Sequence, residues 1–600
     1  MTRPRTTQEM VHWLEMGAGA RWIGWAALIL GIIAFSALVA WKQFHGPTSE
    51  ITLVQADLGR QLAAGEGFTT RVNFPQTAAV RQARGERFDP AVAYPELHHA
   101  PLYSLVIAGA LRLLPASYRE SLFASPPVPP DGFAADYLLL GLNVVLLWWA
   151  AWLTYSLGRR LFEPRVGATA ALALLVSVPL WQQTVRVNGL PLLMVLVLLA
   201  FHVWCRVEEA LAEPHERNRA LGWLATLGAI GGLLFLAEYS AGALIVVVLA
   251  HAGSRLNGRR RVAALGLVTL GFLVVAAPWM QRNVSLTGNP VGLAVHNVAL
   301  KAGDPTAEPA TFRATFAAEG PRLDLNKLGN KALTSLQENL TTRFWSGGSL
   351  WLAAFFVGGL LYSFRSPTAE RLRWIFVVAF GVWLLAQGAF NSGESERLVA
   401  VWCAPLLMIF GAAFFFVLLS SNVRLAPWPG VAMAVLLTAQ ALPLAHDLLE
   451  PRRLHFHYPP YFPALFQGMR ADLERRSGAG GAGIMADVPA GVAWYSGSRA
   501  WAQPASLRQF QAITLEQPIG QLLLTARTLD RPFFTDLKAQ VAPSTATLNA
   551  ATSRAGEWGQ VYAGLLTGTM PADFPLRSSQ KLADNLFVLF DSSVPVPSGK

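Results

Sequence analysis

Long apolar runs separated by short, arginine-bearing connections dominate the chain from residue 22 to residue 446. At a rise of about 1.5 Å per residue, some 20 apolar residues cross the hydrocarbon core, so each run predicts a membrane-spanning helix. The runs cover 22–41, 136–158, 165–183, 189–206, 220–236, 238–252, 262–280, 349–364, 374–390, 399–419 and 428–446. They predict about eleven spans. The run 101–115 is too short to cross and is bounded by Pro101 and Pro115, which predicts an interfacial or re-entrant helix. Between residues 46 and 68, Leu53, Ala56, Leu58, Leu62 and Ala63 approximate one helical face and Gly65 ends it, the pattern of an amphipathic helix lying on a membrane surface. From His455 onward the chain turns polar, with a glycine-rich stretch at 478–483. There the short apolar runs GIMADVP, PIGQLLLTART and NLFVLFDSS alternate with helix-like stretches. The predicted fold class is therefore a polytopic α-helical membrane protein with interfacial helices and a small C-terminal α/β soluble domain.

Composition agrees: 53% of the 600 residues are hydrophobic and only 14% charged, more apolar surface than a soluble core of that size needs. The net charge of +11 does not point to nucleic acid, because the arginines sit in short loops and report topology instead. Arg159, Arg160 and Arg165, then Arg206, Arg217 and Arg219, then Arg255 and Arg259 to Arg261, then Arg365, Arg371 and Arg373 fall on alternate connections, which places those connections in the cytoplasm. Residues 1–21, with Arg3, Arg5 and Arg21, join them, and the first run, lacking a small-residue cleavage site, reads as an uncleaved anchor. An odd number of spans then puts 447–600 outside, together with the outer pieces 43–135, 184–188 and 281–348. The expected location is the cytoplasmic (inner) membrane, with the tail periplasmic or extracellular. The cytoplasmic loops leave no room for a nucleotide-binding domain, and no Walker or Rossmann glycine pattern stands at a strand-to-helix junction, which argues against a transport ATPase or a nucleotide-sugar transferase. Cys205 and Cys403 lie in apolar runs far apart and offer no disulfide or metal framework.

Candidate chemistry gathers on the outer pieces. In AAPWMQRNVSLTGNPV, 276–291, Trp279 suits the membrane interface and Arg282 puts a permanent cation just outside the hydrocarbon, where an anionic head group lies, with Asn283 beside it. Arg186 in TVRVNGLPLL is a second possible phosphate contact. Glu50 and Asp57 are the candidate acids of the amphipathic helix that Gly65 ends, and an ionised carboxylate at the surface can take a hydroxyl proton. Glu96 stands close to His98 and His99, yet adjacent histidines on a helix point apart and no H-E-x-x-H spacing is present, so no metal is assigned. Glu394, Glu396 and Arg397 cluster where an outer loop meets a span, a setting for a phosphate leaving group and a polar sugar.

The segment 276–291 resembles the "PW-x-x-RN-x-x-x-x-GNP" stretch of bacterial membrane glycosyltransferases of the GT-C superfamily, the branch related to protein mannosyltransferases and lipopolysaccharide sugar transferases. Gly59, Arg60, Leu62, Gly65, Gly67 and Phe68 match that family's "A-R-x-L-x-x-G-x-G-F" stretch, YPELHHAPLY at 94–103 resembles its "H-x-P-P-L-Y" helix, and NSGESERLVAVWCAPLL at 391–407 resembles its "R-Y-x-x-P-x-x-P" segment. Residues 486–501 look like tail domains attached to some bacterial members. The resemblance implies transfer of a sugar from a polyprenyl-phosphate donor to a glycan, lipid or protein acceptor at the outer face, with membrane lipids as partners and no cofactor. It implies an acid as general base, for which Glu50 and Asp57 compete, and substrate contacts from His98, His99, Tyr103, Arg186, Arg282, Asn283, Glu394, Glu396 and Arg397. The chain departs from the pattern in two places: Glu50 replaces an aspartate with a one-residue offset, and Asn188 stands where an acid is frequent. Two other readings stay open, a non-catalytic relative that binds lipid phosphate and a lipid-linked sugar transporter or flippase, although the inverted repeats and mid-span charges of a transporter are not evident.

Overall fold

The computed structural model describes residues 18–86, 89, 92–124, 132–213, 215–299, 313–321, 323–390, 398–450, 463–477 and 482–525, and shorter pieces at 528, 558, 561, 564–565, 567–570, 574–583 and 586–590. Eight of the described helices are long and apolar enough to cross a membrane. A further apolar pair, Pro164–Leu175 and Val178–Val185, is bent by 53° at its break, the geometry of a broken span or a re-entrant loop. The runs 238–252 and 349–364 instead give the shorter apolar helices Tyr239–Arg255 and Leu350–Gly359, and 101–115 gives Leu102–Arg112. The break in the bent pair is held by two hydrogen bonds: Trp181 donates to the Leu175 carbonyl at 2.6 Å, and Ser177 reaches the Gly348 carbonyl at 2.6 Å.

Packing sorts the spans. Leu190–Ala212 is 78% buried over its most apolar stretch and sits at the centre, whereas Trp22–Gln43 and Pro429–Leu449 are 11% buried and present their side chains to the surroundings. Exposed Trp22, Trp25 and Leu30 on the first helix are stable only against lipid. Small residues bring the backbones of Arg217–Ala237 and Gly258–Thr287 together: a Cβ on Gly228 would stand 2.1 Å from the Val268 carbonyl oxygen, and one on Gly271 would stand 2.3 Å from that of Ala225. Close helix crossing through glycines is the common packing device where lipid removes any hydrophobic drive between helices.

At one end of the bundle lie the Glu50–Ala64, Pro75–Ala83, Leu102–Arg112 and Ala116–Ala124 helices and a six-stranded sheet. The strands are β1 (Thr69–Thr70), β2 (Val72–Asn73), β3 (Tyr94–Pro95), β4 (Gly483–Ala486), β5 (Ala500–Ala502), β6 (Ile519–Leu524), β7 (Ser578–Ala583) and β8 (Leu586–Phe590). The large sheet runs β2-β5-β4-β6-β8-β7, parallel from β2 to β6 and antiparallel beyond. The apolar runs read from the tail do become β4, β6 and β8. The sheet nevertheless does not belong to the tail alone, because its edge strand β2 comes from the first loop, in register with Val72 opposite Ala500 and Asn73 opposite Trp501. Pairing with β2 covers a β5 edge that would otherwise expose unpaired backbone groups.

Candidate functional site

The Glu50–Ala64 helix stops where Gly65 takes a left-handed conformation (φ 90°) and donates its N–H back into the last turn, so the chain turns sharply into β1 and β2. This turn delivers Phe68 to Arg71 between two charged groups. On one side Asp57, fully buried, accepts from Thr70 Oγ1 at 3.0 Å and from the Arg71 N–H at 2.8 Å, with the Arg71 guanidinium 3.8 Å away. Burial pushes its carboxyl above the ordinary value of 3.8, against the opposing pull of Arg71 and Arg60. On the other side Arg282, in the last turns of the Gly258–Thr287 helix, donates to the Phe68 carbonyl at 3.1 Å, the Glu96 carbonyl at 3.0 Å and Asn283 Oδ1 at 3.1 Å. Its guanidinium also stacks 4.4 Å from the Trp279 ring centroid. Asn283 is fully buried and donates to the Pro290 carbonyl at 3.2 Å, and so closes the turn that follows the helix.

Glu96 is the hub of the next segment. Its Oε1 accepts from the backbone N–H groups of His98 at 2.7 Å and His99 at 3.0 Å, and lies 3.0 Å from His99 Nδ1. Burial alone would raise this carboxyl, but the His99 imidazole and the N–H donors outweigh it and hold it well below the usual carboxylate range. His98 is buried edge-on to Phe74, and burial followed by the positive charge of Arg313 holds its imidazole well below the ordinary value of 6.5. The Nε2 atoms of both histidines and Glu96 Oε2 are buried without a hydrogen-bond partner among the described residues. Unpaired buried polar atoms side by side are costly, and a polyhydroxyl or phosphate ligand is one way to satisfy them. The Tyr239 hydroxyl ties this segment to the bundle, accepting from Trp279 Nε1 at 2.9 Å and donating to the His99 carbonyl at 3.3 Å.

The remaining sequence-derived positions fall around this core. Glu50 is half-buried at the start of its helix, and its Oε2 accepts the Ala490 N–H from the tail at 3.2 Å. Tyr103 is buried and donates within reach of Asn143 Oδ1 (3.0 Å) and the Val187 carbonyl (2.9 Å), which fastens the Leu102–Arg112 helix to the Ala134–Leu161 span and to the connection before Leu190–Ala212. Val187 is the one described non-glycine residue at positive φ (59°), an expensive conformation for a β-branched side chain, and it directs that carbonyl at Tyr103. Arg186 is half-buried beside it, while Asn188 accepts the Leu190 N–H at 3.2 Å and donates to Gln183. Glu394, Glu396 and Arg397 lie outside the described residues. Among the described residues, one group of three acids and imidazoles has its ligand atoms within 4.8 Å: Glu213, His215 and Glu216, on the connection that follows the Leu190–Ala212 span. Glu96, His98 and His99 do not form such a group.

Two residues of weight escape a reading by motif. Asp136, buried in the first turn of the Ala134–Leu161 span, accepts from Trp494 Nε1 and the Tyr495 hydroxyl of the tail. An acid inside an apolar run was the available signal. Arg71, the partner of Asp57, carries no signal beyond its charge.

A bundle of apolar helices whose loop helices pack on a small α/β sheet at one end is the fold of the GT-C membrane glycosyltransferases. No family model matches the sequence, and no curated protein matches it. Among solved structures, ArnT from Cupriavidus metallidurans bound to undecaprenyl phosphate is 13% identical over 96% of this chain and 99% of that one, with a TM-score of 0.53. The same protein in its apo state is 15% identical over 84% and 94%, with a TM-score of 0.46. The Archaeoglobus fulgidus oligosaccharyltransferase in its apo form is 11% identical over 87% and 71%, with a TM-score of 0.45. At these identities the likeness is one of fold.

Proposed function

We propose that the protein is a glycosyltransferase that moves a sugar from a polyprenyl-phosphate-linked donor to an acceptor at the outer face of the cytoplasmic membrane, with the tail on that same side. The observation that carries this reading is the convergence of a carboxylate and a guanidinium on one four-residue segment: Asp57 holds Thr70 and Arg71, and Arg282 holds Phe68. The GT-C fold supports it, as does the undecaprenyl phosphate bound by the similar ArnT.

In the proposed reaction an acceptor hydroxyl attacks the anomeric carbon of the donor sugar while the bond from that carbon to the phosphate oxygen breaks. The hydroxyl proton passes to Glu50 or Asp57, and the electron pair of the broken bond stays on the departing polyprenyl phosphate. Arg282, in the last turns of the Gly258–Thr287 helix, stabilises the charge that develops on that phosphate. Glu96, His98 and His99 contact the sugar or its phosphate, and no metal or other cofactor is required.

The test is transfer of a labelled sugar from its polyprenyl phosphate to envelope glycans by the purified full chain, together with a comparison of those glycans in cells with and without the protein. Loss of a glycan species in the deletion and release of polyprenyl phosphate in vitro are expected. A second reading, a lipid-phosphate binder without catalysis, has its own observation in the Glu50 carboxylate already bonded to the Ala490 N–H. Donor binding with no transfer would favour it. A reporter active only outside the cytoplasm, fused after Lys600, is expected to be active; activity of a cytoplasmic reporter there would refute the topology.

A further inference from the structure

A cavity of about 510 Å³ opens between the C-terminal half of the Glu50–Ala64 helix and the Ala116–Ala124 helix. Its lining brings together Arg60, Arg71 and Arg119 with the single acid Glu120, over the apolar surface of Leu111 and Phe123. Each guanidinium is held differently. Arg60 stacks 3.8 Å from the Phe123 ring centroid and donates to the Trp494 carbonyl at 3.1 Å, which fixes its plane. Arg71 is drawn back towards Asp57 behind the wall. Arg119, half-buried, has no ion pair or side-chain hydrogen-bond partner among the described residues.

Like charges facing one opening raise the energy of the empty site and lower it when an anion enters. The electrostatics of Arg60 carry that signature: burial, then repulsion from Arg71, push its guanidinium down to about 10, with Asp57 opposing and Arg470 adding to the effect. Guanidinium groups match the oxygens of a phosphate two at a time, and the Arg60 plane is set in advance.

The chain between the lining residues Leu111 and Arg119 indicates where the anion comes from. Leu113 is 87% exposed and Tyr118 56% exposed, at the corner where the apolar Leu102–Arg112 helix passes into Ala116–Ala124. An exposed leucine and tyrosine beside a short apolar helix suit the head-group layer of a bilayer, not water. We propose that this cavity binds the phosphate of an anionic membrane lipid other than the polyprenyl donor. Glu96, His98, His99 and Arg282 are absent from its lining, so the site is separate from the cluster assigned to the donor. The inference goes beyond the proposed transfer and is read by binding alone, so failure of either leaves the other standing.

The experiment is a calorimetric titration of the full-length chain in a neutral detergent with dihexanoyl phosphatidic acid, dihexanoyl phosphatidylcholine and inorganic phosphate. The expected order is phosphatidic acid well above the other two. Arg119→Ala should weaken phosphatidic acid about tenfold, the worth of one charge-assisted hydrogen bond, and Arg119→Lys less. Arg119 has no partner among the described residues to lose, so the variant keeps its fold, and an unchanged melting temperature checks this. Saturating polyprenyl phosphate should leave the binding in place. Equal binding by wild type and Arg119→Ala would overturn the proposal, as would inorganic phosphate binding as tightly as the lipid, phosphatidylcholine binding as tightly as phosphatidic acid, or displacement by polyprenyl phosphate.

Discussion

Trp494 donates its indole N–H to Asp136 at 2.8 Å, and with the Tyr495 hydroxyl at 2.9 Å it fastens the tail to the first turn of a membrane span. Glu50 takes the Ala490 N–H and Arg60 reaches the Trp494 carbonyl, so one short stretch of the tail grips two separate elements of the bundle end. Trp494→Phe keeps the ring contacts to Phe123 and Phe133 but removes the donor, leaving a buried carboxylate oxygen unpaired. Its expected cost is about 1–3 kcal/mol, read as a lower melting temperature and faster proteolytic release of the tail. A melting temperature equal to wild type would mean that the bond contributes nothing to docking.

Arg282 has three protein acceptors, two of them main-chain carbonyls on segments far from it in sequence. A lysine keeps the charge but has no planar fork to reach Phe68 and Glu96 together. Arg282→Lys is therefore expected to weaken both donor binding and turnover, and Arg282→Ala to do so more severely. The informative measurement is binding of polyprenyl phosphate to the three proteins; equal affinity throughout would leave Arg282 as a clamp on the loop with no role towards the donor.

The spans were legible because a run of about 20 apolar residues matches the thickness of the hydrocarbon core and exceeds what a soluble core helix, polar on one face, can carry. The runs 238–252 and 349–364 fall short as helices because each is interrupted: the first opens with the tight turn Tyr239–Ala243, and the second ends at Gly359. The strand Val72–Asn73 was not legible. Two residues carry no period, and their partner β5 lies in the tail. Trp279 and Arg282 announced an interfacial cation by residue type, yet two of the three groups that Arg282 holds are backbone oxygens, which no side-chain pattern encodes. Asp136 carried no motif, because its partners Trp494 and Tyr495 belong to the opposite end of the chain.

His98 gives the loop a pH dependence with a definite sign. Its folded imidazole binds a proton well below 6.5, while the unfolded chain binds one near that value, so between the two the unfolded state holds more protons. Stability of the loop is fully present above about 6.5 and falls as the pH drops below it. Burial also lowers His296 and acts in the same direction, whereas Glu96 stays ionised across this window. Hydrogen exchange of residues 92–100 between about pH 7.5 and 5.5, a window that brackets the ordinary imidazole value, should speed up on acidification once the intrinsic pH effect is removed, and His98→Gln should flatten that response. Exchange in the wild type that does not change beyond the intrinsic pH effect would contradict the buried neutral imidazole.

The two acids of the Glu50–Ala64 helix can be separated by amide substitution. Glu50→Gln keeps an oxygen to accept the Ala490 N–H, so the tail stays docked while the ability to take a proton is lost. Asp57→Asn keeps an oxygen for Thr70 and Arg71 but discards the charge that faces Arg71, at a cost to the β1 turn. General-base assistance is typically worth about 10²–10⁴ in rate, so the variant of the true base should lose turnover by that factor with donor binding preserved. Burial raises the Asp57 carboxyl, which makes it the stronger base once ionised, whereas the half-buried Glu50 is the more accessible to an acceptor. The expected outcome is a large loss in Glu50→Gln with an unchanged melting temperature, and in Asp57→Asn a smaller loss together with a lower melting temperature. The reverse pattern would move the base to Asp57, and full activity in both variants would remove the helix from the chemistry.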